Sequence, residues 1–314
     1  MSARLYSHFR RNQEGAAIVA ALLIVTLATT VVAGLFVREN VTLRSAENRQ
    51  ALAQSRWIER AAIDWARVIL RADARAGVVD HLGEPWAVPV AQTELDETVS
   101  PGTQIGRTSR PATLAGQMID AQSRLNLNSL IASGQVVEKQ LEALRRLFEF
   151  LGIGASKADT VLERVRRAQP RVQEGKTLPA LQPPLLRLTD LMALPGFDAQ
   201  SVERLREFAV VLPRPSSVNV NTAPAEVMAA MVPELDLIGA RRFVAQRERT
   251  YFRNLGQASA LIDGQPVLSP ALMGVASNYF LVRGMVRFER VESLSETLLE
   301  RSTDRVEIVW QQRY

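Results

Sequence analysis

The stretch Glu14-Gly15-Ala16-Ala17-Ile18-Val19-Ala20-Ala21-Leu22-Leu23-Ile24-Val25 decides how the rest of the chain is read. It joins a short basic leader to an uncharged run of 22 residues, Ala16 to Val37. At 1.5 Å rise per residue such a helix is roughly 33 Å long, about the hydrocarbon thickness of a bilayer. Arg4, Arg10 and Arg11 precede the run against the single acid Glu14. That bias predicts a cytoplasmic N-terminus, with all that follows Val37 on the other side of the membrane. No Ala-x-Ala exit follows the run, which passes straight into Arg38-Glu39-Asn40. The segment therefore reads either as an uncleaved anchor or as a helix retained after a cut ahead of it, at Gly15-Ala16.

With 314 residues, 47% of them hydrophobic, the chain can hold one large domain or two to three small ones around a sizeable core. The formal charge of +5 is mild for this length, and only Lys139, Lys157 and Lys176 among the 38 basic residues are lysines. An arginine habit of this kind is weak as a nucleic-acid signal. Cysteine is absent, which excludes thiol chemistry, cysteine-zinc sites and disulfides. His8 and His81 are too far apart for a histidine cluster. No phosphate loop, zincin helix or nucleophile elbow is found, so the sequence predicts no enzyme.

Beyond Val37 a helical period continues. Ala51, Ser55, Ile58, Ala62, Trp65 and Ile69 form one face, while Arg56, Glu59, Arg60 and Arg67 fall on a solvated one. This predicts a helix that lays a stripe on a sheet and stops at Gly77. Residues 78–117 are loop-like, with Trp86 expected as a buried anchor. A strand is expected over residues 114–120, and Leu125-Asn126-Leu127-Asn128 alternates with period two.

From Val136 the character turns helical. Val137, Leu141, Leu144, Leu147, Phe148 and Leu151 form a stripe ended by Gly152 and Gly154, and Ser156 is placed to cap a second helix. Leu194-Pro195-Gly196-Phe197 leads into a helix over 199–210, and Val218-Asn219-Val220-Asn221-Thr222-Ala223-Pro224 opens another with Thr222 as its cap. Another helix covers 235–249. Leu-Pro-Gly before a helix is the helix-hairpin-helix turn, whose amides can hold phosphate. Here Asp190, Asp198, Glu234 and Asp236 flank the turns and would repel it. Packed connections serving protein contacts are the expected use, and no nucleic-acid partner is expected.

Near the C-terminus, Phe280, Val282, Gly284, Val286 and Phe288 alternate with Leu281, Arg283, Met285 and Arg287. Strands over about 294–300 and 305–310 follow, closing an antiparallel sheet. The expected fold is α+β: a long N-terminal helix packed on an antiparallel sheet, with a large all-α insertion; by resemblance to known families the helix and sheet are pilin-like and the insertion is of SAM-like, helix-hairpin-helix character. The expected division is 1–15 leader, 16–37 transmembrane segment, 38–129 helix continuation and first strands, 130–265 helical insertion, and 266–314 closing strands.

Residues 11–37 resemble the type IV pilin and type II secretion pseudopilin signature: basic leader, glycine, then a retained spanning helix. One departure is Ala20, where most such proteins carry a glutamate. Its absence, with Asp120, Asn126-Leu127-Asn128, the Asn-Val-Asn-Thr-Ala segment and Ser277-Asn278-Tyr279-Phe280, resembles the K-type minor pseudopilins (general secretion pathway protein K). The Asn-Val-Asn-Thr-Ala segment also resembles the DNA receptors of competence. The K-type resemblance implies cleavage between Gly15 and Ala16 and N-methylation of Ala16 by prepilin peptidase. It implies an inner-membrane helix, a periplasmic globular part, and assembly with the I- and J-type and other pseudopilins at a pseudopilus tip. It also implies that calcium can bind, for which the acidic loop Glu94, Asp96 and Glu97 and, separately, the region of Glu289 and Glu292 are the candidate oxygen donors in this sequence. The alternative is a membrane-anchored helix-hairpin-helix DNA-binding protein of DNA uptake.

Overall fold

The computed structural model describes residues 6–95, 112–173, 176–288 and 290–314. One helix, α1, runs unbroken from Tyr6 to Ala76, 71 residues. No proline falls within it, and it stops one residue before Gly77. After a short turn around the buried Trp86, β1 (Val90–Leu95) and β2 (Ala112–Asp120) pair antiparallel. The chain then builds a separate helical body and returns for β3 (Tyr279–Phe288), β4 (Val291–Arg301) and β5 (Val306–Arg313). The five strands lie in sequence order, each antiparallel to its neighbour. The helical body is thus an insert between β2 and β3, and the α+β class is as the sequence predicts.

The insert holds α2 (Glu138–Phe150), α3 (Lys157–Arg167), α4 (Ala199–Leu205), α5 (Ala225–Met231), α6 (Leu237–Arg249) and α7 (Leu255–Ser259). Leu141, Leu144, Leu147 and Phe148 of α2 are buried with Val161 and Val165 of α3 and Val227 and Met228 of α5. The sheet keeps its own smaller core. Phe280, Leu299 and Val306 pack under Ile63, Ala66 and Leu70 of α1 with Trp86. Tyr279, Leu281 and Leu298 face the other way, onto Val210 and Leu212 of the insert.

Several local expectations are corrected. The stripe that α1 buries keeps the expected Ala51 and Ser55 but continues through Glu59, Ile63, Ala66 and Leu70, leaving Ile58, Ala62 and Ile69 half-buried at its edge and Trp65 54% exposed. The stripe turns because the sheet offers close approach to alanines and an ionic partner for Glu59. Leu125-Asn126-Leu127-Asn128 is not a strand of the main sheet. Leu125–Asn126 makes a two-residue parallel bridge to Ala209–Val210, and the chain then turns through a 3-10 segment. The asparagines impose this. Asn126 Oδ1 accepts from the amides of Asn128 and Leu212, and Asn128 Nδ2 donates to the Leu212 carbonyl. The helix expected over 199–210 ends at Leu205, leaving Ala209–Val210 for that bridge. Ser156 makes no side-chain cap, and Pro224 rather than Thr222 stands at the N-cap of α5.

Candidate functional site

Two features stand out: the long exposed helix, and the polar junction at its far end. Every residue of α1 from Gly15 to Gln50 is exposed, including Gly15, Ala16 and Ala20. Within the apolar run the polar groups turn inward on their own helix. Thr26 Oγ1 donates to the Leu22 carbonyl, Thr29 to Val25 and Thr30 to Thr26, at 2.7–2.9 Å. Such self-satisfied hydroxyls suit a hydrocarbon environment, where an unmet polar group has no water to turn to. The helix from Gly15 contains an 18-residue window of mean hydropathy 2.5 and is long and apolar enough to cross a membrane.

The second half of α1 has two unlike faces. Toward the sheet, Glu59 is only 3% exposed, the reverse of its expected solvated place. Its Oε2 accepts from Arg313 Nε at 2.7 Å and its Oε1 from Gln311 Nε2, so β5 is clamped to the helix by charge as well as by packing. At roughly 100° per residue, Trp57, Ala61, Trp65 and Val68 lie on the opposite face. Trp57 is 75% and Val68 51% exposed. This aromatic stripe begins 20 residues past Val37, about 30 Å along the axis, beyond reach of the bilayer core.

The junction forms where the end of α1, the sheet and the insert meet. Asp120, at the end of β2, is buried and accepts four hydrogen bonds. Oδ1 takes the Gln122 amide at 2.8 Å; Oδ2 takes Ser277 Oγ at 2.6 Å, Thr222 Oγ1 at 2.5 Å and Asn219 Nδ2 at 3.0 Å. Burial pushes its carboxyl above the usual range, against the pull of the Ser277, Thr222 and Gln122 hydrogen bonds. Asn219 Nδ2 also reaches the Asp80 carbonyl, and Asp80 Oδ2 accepts the Ser277 amide at 2.7 Å. Arg301 completes the cluster. Its Nη2 bonds both Asp80 oxygens at 2.6 and 2.7 Å, its Nη1 bonds Asp73 at 2.5 Å, and its guanidinium carbon lies 4.6 Å from the Phe280 ring centre. His81 stacks on Tyr251 of the insert at 3.8 Å. Glu84 accepts the Trp86 indole at 2.7 Å and the His81 amide at 2.9 Å.

Burial is the main cause of the perturbed acids here. It raises Asp73 to about 6, helped by the charges of Glu84 and Asp80 and opposed by Arg301. It raises Glu84 and lowers His81. Ligand oxygens of Asp73, Asp80 and Glu84 all lie within 4.8 Å of one another, a spacing a metal ion could bridge. The set does not fit calcium, because the Arg301 guanidinium already supplies the cation to Asp73 and Asp80. Of the calcium donors expected from sequence, Asp96, Glu97 and Glu289 lie outside the described residues. Glu94 and Glu292 share one row across the sheet through Thr113 and Arg287, three strands apart, or about 14 Å. They therefore belong to two separate candidate regions, and Glu292 is paired with Arg287 at 2.8 Å.

The two helix-hairpin-helix turns are also occupied from within. Asp198 accepts the Ser201 amide at 2.8 Å, and Asp236 accepts the Gly239 amide at 2.6 Å. The helix N-termini that would cradle a phosphate already carry carboxylates.

Asp120 and Asn219 are marked in the sequence only by their resemblance to a family pattern, and Thr222 by that and as a helix cap; the junction explains why those residue types are needed. Asp73, Asp80 and Arg301 were not singled out. Period two in β4 places Arg301 in phase with Thr297 and Leu299, on the side facing α1, and a charged residue at an inward position was the available signal.

Comparison with known proteins gives a consistent result. Two family models described as type II secretion system protein K match residues 123–214 and 218–275. Type II secretion system protein K of Pseudomonas aeruginosa is 29% identical over 266 residues, covering 78% of this chain and 75% of that protein. The Aeromonas hydrophila protein is 27% identical and covers 94% of this chain and 95% of its own length. The crystal structure of the GspK–GspI–GspJ complex from enterotoxigenic Escherichia coli matches with a TM-score of 0.67 at 20% identity, over 86% of this chain and 99% of the matching one. These matches together support type II secretion system protein K, a pseudopilin of protein transport, as the family of this chain.

Proposed function

We propose that the protein is the minor pseudopilin at the tip of a type II secretion pseudopilus, where it initiates and caps assembly for export across the outer membrane. The observation that carries this reading is the unbroken α1, exposed from Gly15 to Gln50 and crowned at its other end by a helical insert fixed through the Asp120 junction. The chain divides into leader 1–15, spanning segment 16–37, pilin-like parts 38–129 and 266–314, and insert 130–265. The leader is cytoplasmic and is cut between Gly15 and Ala16 by prepilin peptidase, which methylates the new Ala16 amine. The globular part is periplasmic.

Ala20 carries the positional part of the proposal. A carboxylate buried in hydrocarbon is costly unless it is paired. A subunit with none ahead of it has no N-terminal amine to pair with, so alanine suits the leading position. The stripe Trp57, Ala61, Trp65 and Val68 then serves helices of neighbouring subunits, and the insert blocks addition above. The I- and J-type pseudopilins are the partners, by analogy with the E. coli complex that contains the homologue. The carboxylate-capped hairpin turns argue against DNA as a ligand.

The test is the mature N-terminus by mass spectrometry after co-expression with prepilin peptidase. N-methylated Ala16 is expected, and Gly15→Ala should leave the leader attached. An intact Met1 in the wild type, or a cut beyond Val37, refutes the reading. The mature protein should co-purify with I- and J-type pseudopilins and show no retention on DNA at physiological salt.

A further inference from the structure

The second half of α1 carries a row of arginines that its own fold leaves largely unpaired. Arg49, Arg56, Arg60, Arg67 and Arg71 follow one another at steps of 7, 4, 7 and 4 residues. At roughly 100° per residue they fall within an arc of about 60°, in a row about 33 Å long. The row lies between the buried stripe of α1 and the exposed face of Trp57, Ala61, Trp65 and Val68. Like charges meet at i,i+4 in Arg56 and Arg60 and again in Arg67 and Arg71, a spacing that disfavours a helix standing alone.

The acids of the same helix segment do not neutralise the row. Glu59 turns inward to Gln311 and Arg313, and Asp73 turns to Arg301. Asp64 alone stands beside it, 2.9 Å from Arg67 and 3.7 Å from Arg60. Arg67 is further fixed to the sheet by donating its Nε to the Val306 carbonyl at 2.9 Å. Arg49, Arg56 and Arg71 are exposed and form no ion pair among the described residues. Arg49 and Arg71 donate Nε only to carbonyls of their own helix, those of Ser45 and Arg67, at 3.3 Å.

We propose that this row receives the acidic face of a partner's α-helix, which lies along α1 with apolar residues on Trp57 and Trp65 and carboxylates on Arg49, Arg56, Arg60 and Arg71. The inference rests on the assembly reading above and adds the chemistry that the partner must present. Charge complementarity selects the occupant, because each guanidinium offers a planar fork that fits a carboxylate. Tryptophan beside arginine is also the composition of the energetic centre of protein interfaces. Ala61, between the two tryptophans, lets a second helix approach closely. The facing helix is expected to repeat Asp or Glu at the same alternating steps of 7 and 4 residues. An anionic lipid surface does not fit. Counted from Val37, the row begins about 18 Å beyond the apolar run and ends about 51 Å beyond it, so headgroups reach Arg38 and not these arginines.

The experiment uses the full processed chain in detergent micelles, with the full-length I- and J-type pseudopilins of the same secretion system as probes. Binding is followed by biolayer interferometry between about 50 and about 500 mM NaCl, and affinity should fall about tenfold over that range. Arg49→Glu, Arg56→Glu and Arg71→Glu combined should weaken binding at low salt about thirtyfold and abolish its salt dependence. Tm should stay within about 2 °C of wild type, because these three arginines hold no ion pair in the folded chain. Arg49→Lys, Arg56→Lys and Arg71→Lys combined keep the charge and should bind within about threefold of wild type. Treating that lysine variant with a carbodiimide in the complex joins each new amine to a touching carboxylate as an amide. Mass spectrometry should place those links on Asp or Glu of a partner's long helix. The proposal is overturned if the glutamate variant binds as the wild type does, if affinity ignores salt, or if the links fall on acids outside the partner helices. Should the glutamate variant fail to fold, the salt dependence and the links decide. Any of these failures leaves the tip reading standing, since that is judged by the mature N-terminus and by capture of the two pseudopilins. A wild-type chain that captures neither pseudopilin overturns both.

Discussion

Replacing Asp120 by alanine tests whether the junction holds the insert to the sheet. The change removes four accepted hydrogen bonds at once. Not all four donors are stranded. Asn219 Nδ2 retains the Asp80 carbonyl at 3.1 Å and Ser277 Oγ at 3.0 Å, and Thr222 Oγ1 has the Asn219 carbonyl at 3.4 Å. The Gln122 amide and the Ser277 hydroxyl lose their acceptor. At ~1–3 kcal/mol for each unmet buried donor, the gross loss is about 2–6 kcal/mol. Removing a carboxylate that burial already disfavours offsets part of this, so the net loss should be ~3 kcal/mol. That corresponds to a fall in Tm of about 6–12 °C for a domain of this size. Hydrogen exchange locates the effect: amides of Gln122, Asn221 and Ser277 should lose protection while the ladder between β3 and β4 and helices α2 and α6 keep theirs. Asp120→Asn should lose less than alanine, because its amide oxygen can take the place of Oδ2 with its three donors and leave its NH2 facing only the Gln122 amide. A Tm within about 2 °C of wild type, or an equal loss of protection throughout the chain, would refute the reasoning.

Asp73 predicts the sign of a pH effect. Its folded value, about 6, lies above its unfolded value, so the folded state holds the proton more tightly and this group adds stability as pH falls from 7 toward 4. Wild type should therefore gain Tm relative to Asp73→Asn over that range; a relative loss by wild type as pH falls counts against the assignment. Glu59→Ala should cost ~1–3 kcal/mol in denaturant unfolding and loosen the C-terminal strand, since Gln311 and Arg313 lose their shared acceptor. An unchanged midpoint would show the clamp to be worthless. Trp57→Ala with Trp65→Ala should change stability by only ~0.5 kcal/mol per site and yet reduce co-purification with partner pseudopilins. Wild-type levels of capture would remove the stripe from the assembly surface.

Long apolar periodicity was the most legible feature of the sequence. The run from Ala16, the strand pattern near residues 280–288 and the α2 stripe each depend on neighbours three or four residues away, or two in a strand, and each lies where the pattern puts it. The face of α1 was misjudged because apolarity alone was used to rank it. Trp65 is larger and more apolar than Glu59, but only the folded chain brings Arg313, 254 residues distant, to Glu59. The same limit hid the junction. Asp73, Asp80 and Arg301 are separated by up to 228 residues and carry no local spacing. The Leu-Asn alternation at 125–128 misleads for another reason: its asparagines answer to backbone at Leu212 and Arg214, so the period of two comes from side-chain hydrogen bonds and not from a sheet.

A polar junction suits the proposed capping role better than an apolar one of equal area. Apolar contact is non-directional, and a body held that way can slide or rock with little change in buried surface. The Asp120 and Arg301 networks instead require named donors to meet named oxygens within about 3 Å, so a small rotation of the insert breaks several bonds together. Steric blocking of a filament end needs such a fixed orientation, since an insert free to swing would uncover the position above it. Variants that keep the insert folded but release it from Asp120 therefore separate the two demands. In a pseudopilus assembly assay they should still bind partners through α1 and yet cap poorly, giving longer filaments. Filaments of wild-type length from a variant shown by exchange to have a released insert would mean that the fixed orientation is not what limits growth.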